Sequence, residues 1–153
     1  MDITTPVTGT NVASLSSPTY TLTEDTAPGL NGIQYAVTAL GGTQADVDAH
    51  SVSKPFTVSV FRPQTLRTLP QANNATGVIT NVPMNNYKLI VRKGAEPAAN
   101  QIPQVATATV NFRIPAGSDT YEAEQLAAMV SLLAGIFNTD SDALYDLLVT
   151  GVL

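Results

Sequence analysis

The chain has 153 residues, of which 44% are apolar and only 12% charged, and its formal net charge is −5. Soluble proteins average about 25% charged residues. Disorder driven by charge excess is therefore excluded, and much of the surface must be neutral and polar or hidden against other chains. The lack of cysteine excludes disulfides, zinc fingers, iron–sulfur clusters and thiol nucleophiles.

The first residues, Met1-Asp2-Ile3-Thr4-Thr5-Pro6, have neither a basic nor an apolar leader character, which predicts cytoplasmic synthesis. Strand signals follow. Residues 19–23 alternate with period two. After the turn signals Pro28-Gly29 and Asn31-Gly32, residues 33–39 place Ile33, Tyr35 and Val37 on one side, and Gly41-Gly42 is expected to break that strand. Residues 56–61 set Phe56, Val58 and Val60 opposite Thr57, Ser59 and Phe61. Pro63, Pro70, Asn73-Asn74 and Gly77 mark a long loop. Residues 86–93 set Tyr87, Leu89 and Val91 against Asn86, Lys88, Ile90 and Arg92. Residues 94–103 form a second loop. Residues 104–114 then set Ala106, Ala108, Val110, Phe112 and Ile114 against Val105, Thr107, Thr109, Asn111 and Arg113.

The period changes after Pro115-Ala116-Gly117. Ser118 or Asp119 is expected to cap a helix, with Asp119 and Glu122 at capping-box spacing. Leu126, Met129, Val130, Leu133 and Phe137 follow helical spacing, and a second helix starting at Asp140 or Ser141 carries Leu144, Leu147 and Leu148. The pattern is α+β in one domain over 1–153, β-rich to about residue 117 and helical from 118. From Leu126 to Phe137 only Ser131 is polar, so this helix lacks the polar face of an ordinary surface helix. Twelve residues fall short of the about 20 that cross a bilayer. Two helices also leave part of the sheet uncovered; a partner chain supplying the same elements answers both the bare sheet and the spare apolar side, against the plainer reading that long loops cover the helix within a monomer, and Leu126, Met129, Val130, Leu133, Phe137, Leu144 and Leu148 are its candidate interface.

Charge falls in three blocks. Residues 1–50 hold five acids and no Lys or Arg, residues 51–118 hold all seven bases against Glu96 alone, and residues 119–153 hold six acids and no base. Strand parity gathers Thr57, Ser59, Phe61, Asn86, Lys88, Arg92, Thr107, Thr109, Asn111 and Arg113 on the side opposite the apolar residues. Hydroxyls and amides bond phosphate, sugar or base edges, Lys and Arg neutralise phosphate, and Phe61 can stack on an unpaired base. The competing reading is the solvated face of an ordinary antiparallel sheet. Asp46, Asp48 and His50 project to one side if their segment is extended, a set that holds a divalent ion, against the plainer reading of a hydrophilic loop. No Gly-x-Ser-x-Gly elbow accompanies His50, and no phosphate-binding glycine loop occurs. No reaction and no cofactor is implied.

Two segments, Asn86-Tyr87-Lys88-Leu89-Ile90-Val91-Arg92-Lys93 and Ala106-Thr107-Ala108-Thr109-Val110-Asn111-Phe112-Arg113-Ile114-Pro115, lead into Glu122-Ala123-Glu124-Gln125-Leu126 and Leu132-Leu133-Ala134-Gly135. Over residues 54–153 this resembles the levivirus-type coat proteins of single-stranded RNA bacteriophages. The resemblance implies an N-terminal β-hairpin, a five-stranded antiparallel sheet and two C-terminal helices that interlock in a homodimer. It further implies assembly into an icosahedral shell, with the sheet facing packaged single-stranded genomic RNA or an RNA hairpin, in a virion made in a bacterial cytoplasm. Carried over by position, Thr57 and Ser59, Lys88 and Ile90, and Thr107 and Thr109 would touch RNA. Ile90 replaces a position usually polar or basic, and Thr107 stands where an aromatic stacks on a base. The loop 94–103 resembles one that gathers around shell symmetry axes. The alternative from another class is a secreted β-rich adhesin or pilus-like binding module.

Overall fold

The computed structural model describes residues 1–152. Six strands form one antiparallel sheet in chain order: β1 (Val7–Thr8), β2 (Ser16–Asp25), β3 (Gly32–Thr43), β4 (Phe56–Phe61), β5 (Met84–Ala95) and β6 (Gln104–Pro115). Three helices follow: α1 (Ser118–Tyr121), α2 (Ala123–Thr139) and α3 (Ser141–Thr150). The α+β class holds, but the sheet has six strands rather than five. The extra strand is the two-residue β1, in which Val7 pairs with Tyr20 and Thr8 with Thr19. Two residues are too few to show a period, so only the partner strand reveals them.

Gly41-Gly42 does not break β3, which runs on to Thr43. The glycines instead let β2 approach at an irregular register between Ser16 and Thr19. A Cβ at Gly41 would stand 2.3 Å from Thr19 Oγ1, and one at Gly42, where φ is +74°, 2.1 Å from the Ser17 carbonyl. Here glycine marks close backbone approach within a strand.

The expected single helix after residue 117 is broken at Glu122 (φ −134°, ψ 52°), which separates α1 from α2. The capping box does not form. Gly117, in the left-handed region, precedes α1, and Ser118 Oγ donates to the Pro115 carbonyl at 2.7 Å. Asp140 joins α2 to α3, its N–H bonded to Ile136 and its carbonyl accepting from Leu144, both at 2.9 Å. Gly151, also left-handed, closes α3 through its N–H to Leu147, a common helix ending.

The core is small and lies on the apolar face of β2–β4. Leu22, Tyr35 and Val37 are buried, with Ile3, Val7, Tyr20, Ile33, Leu40, Phe56 and Val58 packed around them. Two loop segments cover it. In the N-terminal segment Asp2 accepts from the Tyr35 hydroxyl at 2.7 Å and Thr5 Oγ1 from Leu22 N at 2.9 Å. In the loop after β3, His50 N donates to the Val37 carbonyl and His50 Nδ1 accepts from Phe56 N. The long loop after β4 is pinned by buried Asn85, whose amide bonds both the N–H and the carbonyl of Arg67. Among the strands and helices of the described residues α2 meets only α1 and α3, α1 meets β6 where the chain leaves the sheet, and Asp142 of α3 accepts from Ala13 N at 2.9 Å, so neither α2 nor α3 packs on the apolar face of β5–β6. No helix is long and apolar enough to cross a membrane.

Candidate nucleic-acid interface

Antiparallel pairing sets residues opposite one another side by side on one face. The register aligns Gly32, Phe61, Lys88 and Asn111 as one row across β3–β6. The next row is Gln34, Ser59, Ile90 and Thr109, and the next is Ala36, Thr57, Arg92 and Thr107. Asn86 pairs with Arg113. All ten residues grouped by parity therefore share a face, and Ile90 lies among them. Asn86, Lys88, Thr107, Thr109, Asn111 and Arg113 are exposed.

Thr57 and Ser59 differ from that expectation. They lie on the polar face but are buried, Ser59 completely, because they are short and stand beside longer side chains, Gln34 and Ile90 for Ser59 and Arg92 for Thr57. Arg92 donates to Ser59 Oγ at 3.0 Å, Ser59 donates to Gln34 Oε1 at 2.9 Å, and Gln34 Nε2 donates to Asp25 Oδ2 at 2.9 Å. This chain of bonds runs from a guanidinium on β5 to a carboxylate on β2. It holds the Asp25 carboxyl below its ordinary value, mainly through the Gln34 bond. Ser59 thus lies under the face, bonded on both sides. Sequence periodicity had no way to single out Gln34, since its role depends on the β3–β4 register.

The bases divide by face. Lys54 bridges Asp48 and Glu96, both at 2.9 Å, and Lys93 donates to the Asp48 carbonyl and lies 4.7 Å from the centre of the Phe56 ring, on the apolar side. Lys54 is accordingly held well above the ordinary lysine value by its two carboxylates, while burial lowers Lys93. On the polar face Lys88, Arg92 and Arg113, with Arg62 just beyond β4, have no carboxylate within 4.0 Å among the described residues. Four cations without counter-charges on one face attract a polyanion.

The candidate ion ligands are not brought together. Asp46 takes a left-handed turn (φ +63°), Asp48 is spent on Lys54, and His50 Nδ1 is occupied by Phe56 N. Among the described residues no group of three His, Cys, Asp or Glu side chains is placed to hold a metal ion. A left-handed residue in the turn destroys the alternation that an extended segment would have provided.

Of the candidate interface residues, Leu126 and Leu133 are half-buried, while Met129, Val130, Phe137, Leu144 and Leu148 are exposed. Leu132, Ile136 and Val149, which helical spacing did not select, are exposed as well, Leu132 to 67%. Apolar surface therefore runs around α2 rather than along one stripe.

Comparison with protein-family models and with curated protein sequences gave no match. Solved structures gave several. A virus-like particle of bacteriophage ESE020 is built from a chain 47% identical to this one, at a TM-score of 0.95 over 100% of this chain and 99% of that one. Virus-like particles of Wenzhou levi-like virus 4 (14% identity, TM-score 0.61, 94% and 85% covered) and Beihai levi-like virus 32 (16%, 0.50, 88% and 88%) share the fold. A full-length likeness at that identity sets aside the adhesin alternative. The chain belongs to the coat proteins of single-stranded RNA bacteriophages, the structural subunits of the virion capsid.

Proposed function

We propose that the chain forms a homodimer through α2, α3 and the open edge of β6, that dimers close into a shell, and that the polar face of the sheet binds packaged single-stranded RNA. One observation carries the dimer. The accessible surface of the chain is 10,728 Å², whereas a self-contained monomer of 16.0 kDa exposes about 7,400 Å². The excess, roughly 3,300 Å² per chain and so about 6,600 Å² for a pair, is ample for an obligate interface, which buries about 2,000–5,000 Å² or more over both partners. Part of it lies on an apolar helical arm, α2 and α3, that rests on none of its own strands, beside an apolar face of β5–β6 on which neither helix packs. A second copy supplies both missing halves: its helices for the bare β5–β6 face, and its sheet for the bare helices.

RNA on the opposite face is supported by the four cations without counter-charges and by the alternating hydroxyls and amides around them. Thr107, Thr109, Asn111, Arg113, Asn86, Lys88 and Phe61 form the contact surface, Arg92 is aimed by Ser59, and Thr57 lies beneath. The acids of the helical arm keep that arm on the side away from RNA. Size-exclusion chromatography with electron microscopy tests the assembly: closed particles are expected, and a 16.0 kDa monomer at high concentration overturns it. The ratio of absorbance at 260 to 280 nm tests the cargo. A ratio typical of pure protein in intact particles overturns RNA packaging.

A further inference from the structure

One base has neither a place in the rows of the polar face nor an acid of its own. Arg67 lies in the loop after β4, with no carboxylate within 4.0 Å among the described residues. It borders a pocket of about 400 Å³ that Gln64, Thr65, Met84 and Asn85 also line. We propose that Arg67 is a docking point for a carboxylate on the helical segment, residues 118–150, of a second copy of this chain. This rests on the reading of the bare β5–β6 face as a dimer surface and adds a charged contact at its rim.

Strand parity sets Arg67 on the apolar side of the sheet. Asn85 alternates with Tyr87 and Leu89 and pairs with Ile114, so it shares their face, opposite Lys88 and Arg92. There its buried amide accepts from Arg67 N at 2.9 Å and donates to the Arg67 carbonyl at 3.0 Å. Two residues on, Leu69 stands against Gly117 at the root of α1, where a Cβ would lie 3.2 Å from Leu69 Cδ2. The loop therefore edges the apolar face with its backbone fixed, and the Arg67 side chain is exposed. Charge selects the occupant. Residues 119–153 hold six acids and no base, and none of these acids forms an ion pair within 4.0 Å among the described residues. Two such segments brought together in a dimer repel unless a cation meets them. On the apolar side Lys54 already bridges Asp48 and Glu96, and Lys93 is bonded to the Asp48 carbonyl over the Phe56 ring. Arg67 is the basic side chain still free there among the described residues. A guanidinium pairs with a carboxylate through two parallel bonds, and the Gln64 amide and Thr65 hydroxyl offer further donors. RNA phosphate suits the same donors, but Asn85 holds Arg67 on the face away from Lys88 and Arg92. Arginine at an apolar patch is also enriched in interfaces between chains.

The test is sedimentation of the purified protein, with native mass spectrometry of mixed chains. Arg67→Glu should weaken the dimer at least about 10-fold, because attraction becomes repulsion at two symmetric sites. The bonds to Asn85 involve only the Arg67 backbone, so they survive the substitution. Each acid of the helical segment is then reversed to Lys in turn, and one reversal should restore the dimer of the Arg67→Glu chain. Mixed as separate chains, Arg67→Glu and that Lys variant should form heterodimers in preference to either homodimer, which a pair within one chain would not produce. Should Arg67→Glu not fold, Arg67→Gln carries the test: a weaker dimer with a flatter salt dependence supports the contact, and an unchanged dimer overturns it. An undiminished Arg67→Glu dimer, whether or not RNA binding falls, overturns the docking point alone, as does rescue by no acid or random mixing of the chains. A monomeric unmutated protein overturns the dimer reading along with it.

Discussion

Lys88→Gln and Lys54→Gln remove the same formal charge, yet they should act differently on RNA binding. Lys54 is already neutralised by Asp48 and Glu96, each 2.9 Å away, whereas Lys88 is exposed on the polar face with no acid within 4.0 Å among the described residues. Each phosphate neutralised on a single strand contributes about 0.7 to the slope of log affinity against log salt. If Arg62, Lys88, Arg92 and Arg113 each take one phosphate, the slope is about −2.8 per chain, and affinity falls about 50-fold as salt rises from about 50 to 200 mM. Lys88→Gln should flatten the slope to about −2.1 and the loss to about 18-fold. Lys54→Gln should leave both unchanged. The assay is fluorescence anisotropy of a labelled oligoribonucleotide titrated at several salt concentrations. Equal flattening by both substitutions would mean that net charge rather than the free cations of one face sets binding, and would refute the argument.

Three further outcomes are expected. Leu132→Asp places a charge on a side chain that is 67% exposed in the single chain. Two lost leucines and two buried charges should weaken the dimer at least about 100-fold by sedimentation, and an unaltered dimer would remove α2 from the interface. Ser59→Ala deletes the fully buried hydroxyl between Arg92 and Gln34. It should cost about 1–3 kcal/mol in urea unfolding, and an unchanged midpoint would show that the bond chain carries no stability. Asp48 is held below its ordinary carboxyl value, chiefly by the Lys54 hydrogen bond. A depressed folded value means that its stabilisation is present above the unfolded value, about 3.9, and is lost as pH falls through the folded one. Protection against hydrogen exchange in residues 44–55, taken relative to the intrinsic rate at each pH, should therefore fall on acidification below about pH 4, and Asp48→Asn should show the lower protection already at neutral pH. Identical profiles for the two proteins would contradict this.

Strand parity was legible in the sequence because it is local. Alternation along 56–61, 86–93 and 104–114 needs only the pleat, and the register places those residues in rows as alternation predicts. The all-round apolar character of Leu126–Phe137 was equally local, and with it the shortage of cover for α2. What the chain alone did not reveal depends on partners distant in sequence. The passage of β3 through Gly41-Gly42 follows from the approach of Thr19 and Ser17, and the burial of Ser59 from Gln34 and Arg92, 25 and 33 residues away. Which lysines keep a free charge is likewise decided by what faces them, since Lys54 and Lys88 look alike in sequence and differ only in the acids that folding brings to one of them. Periodicity encodes which way a side chain points, whereas what covers it, pairs with it or leaves it bare is a property of the assembled sheet.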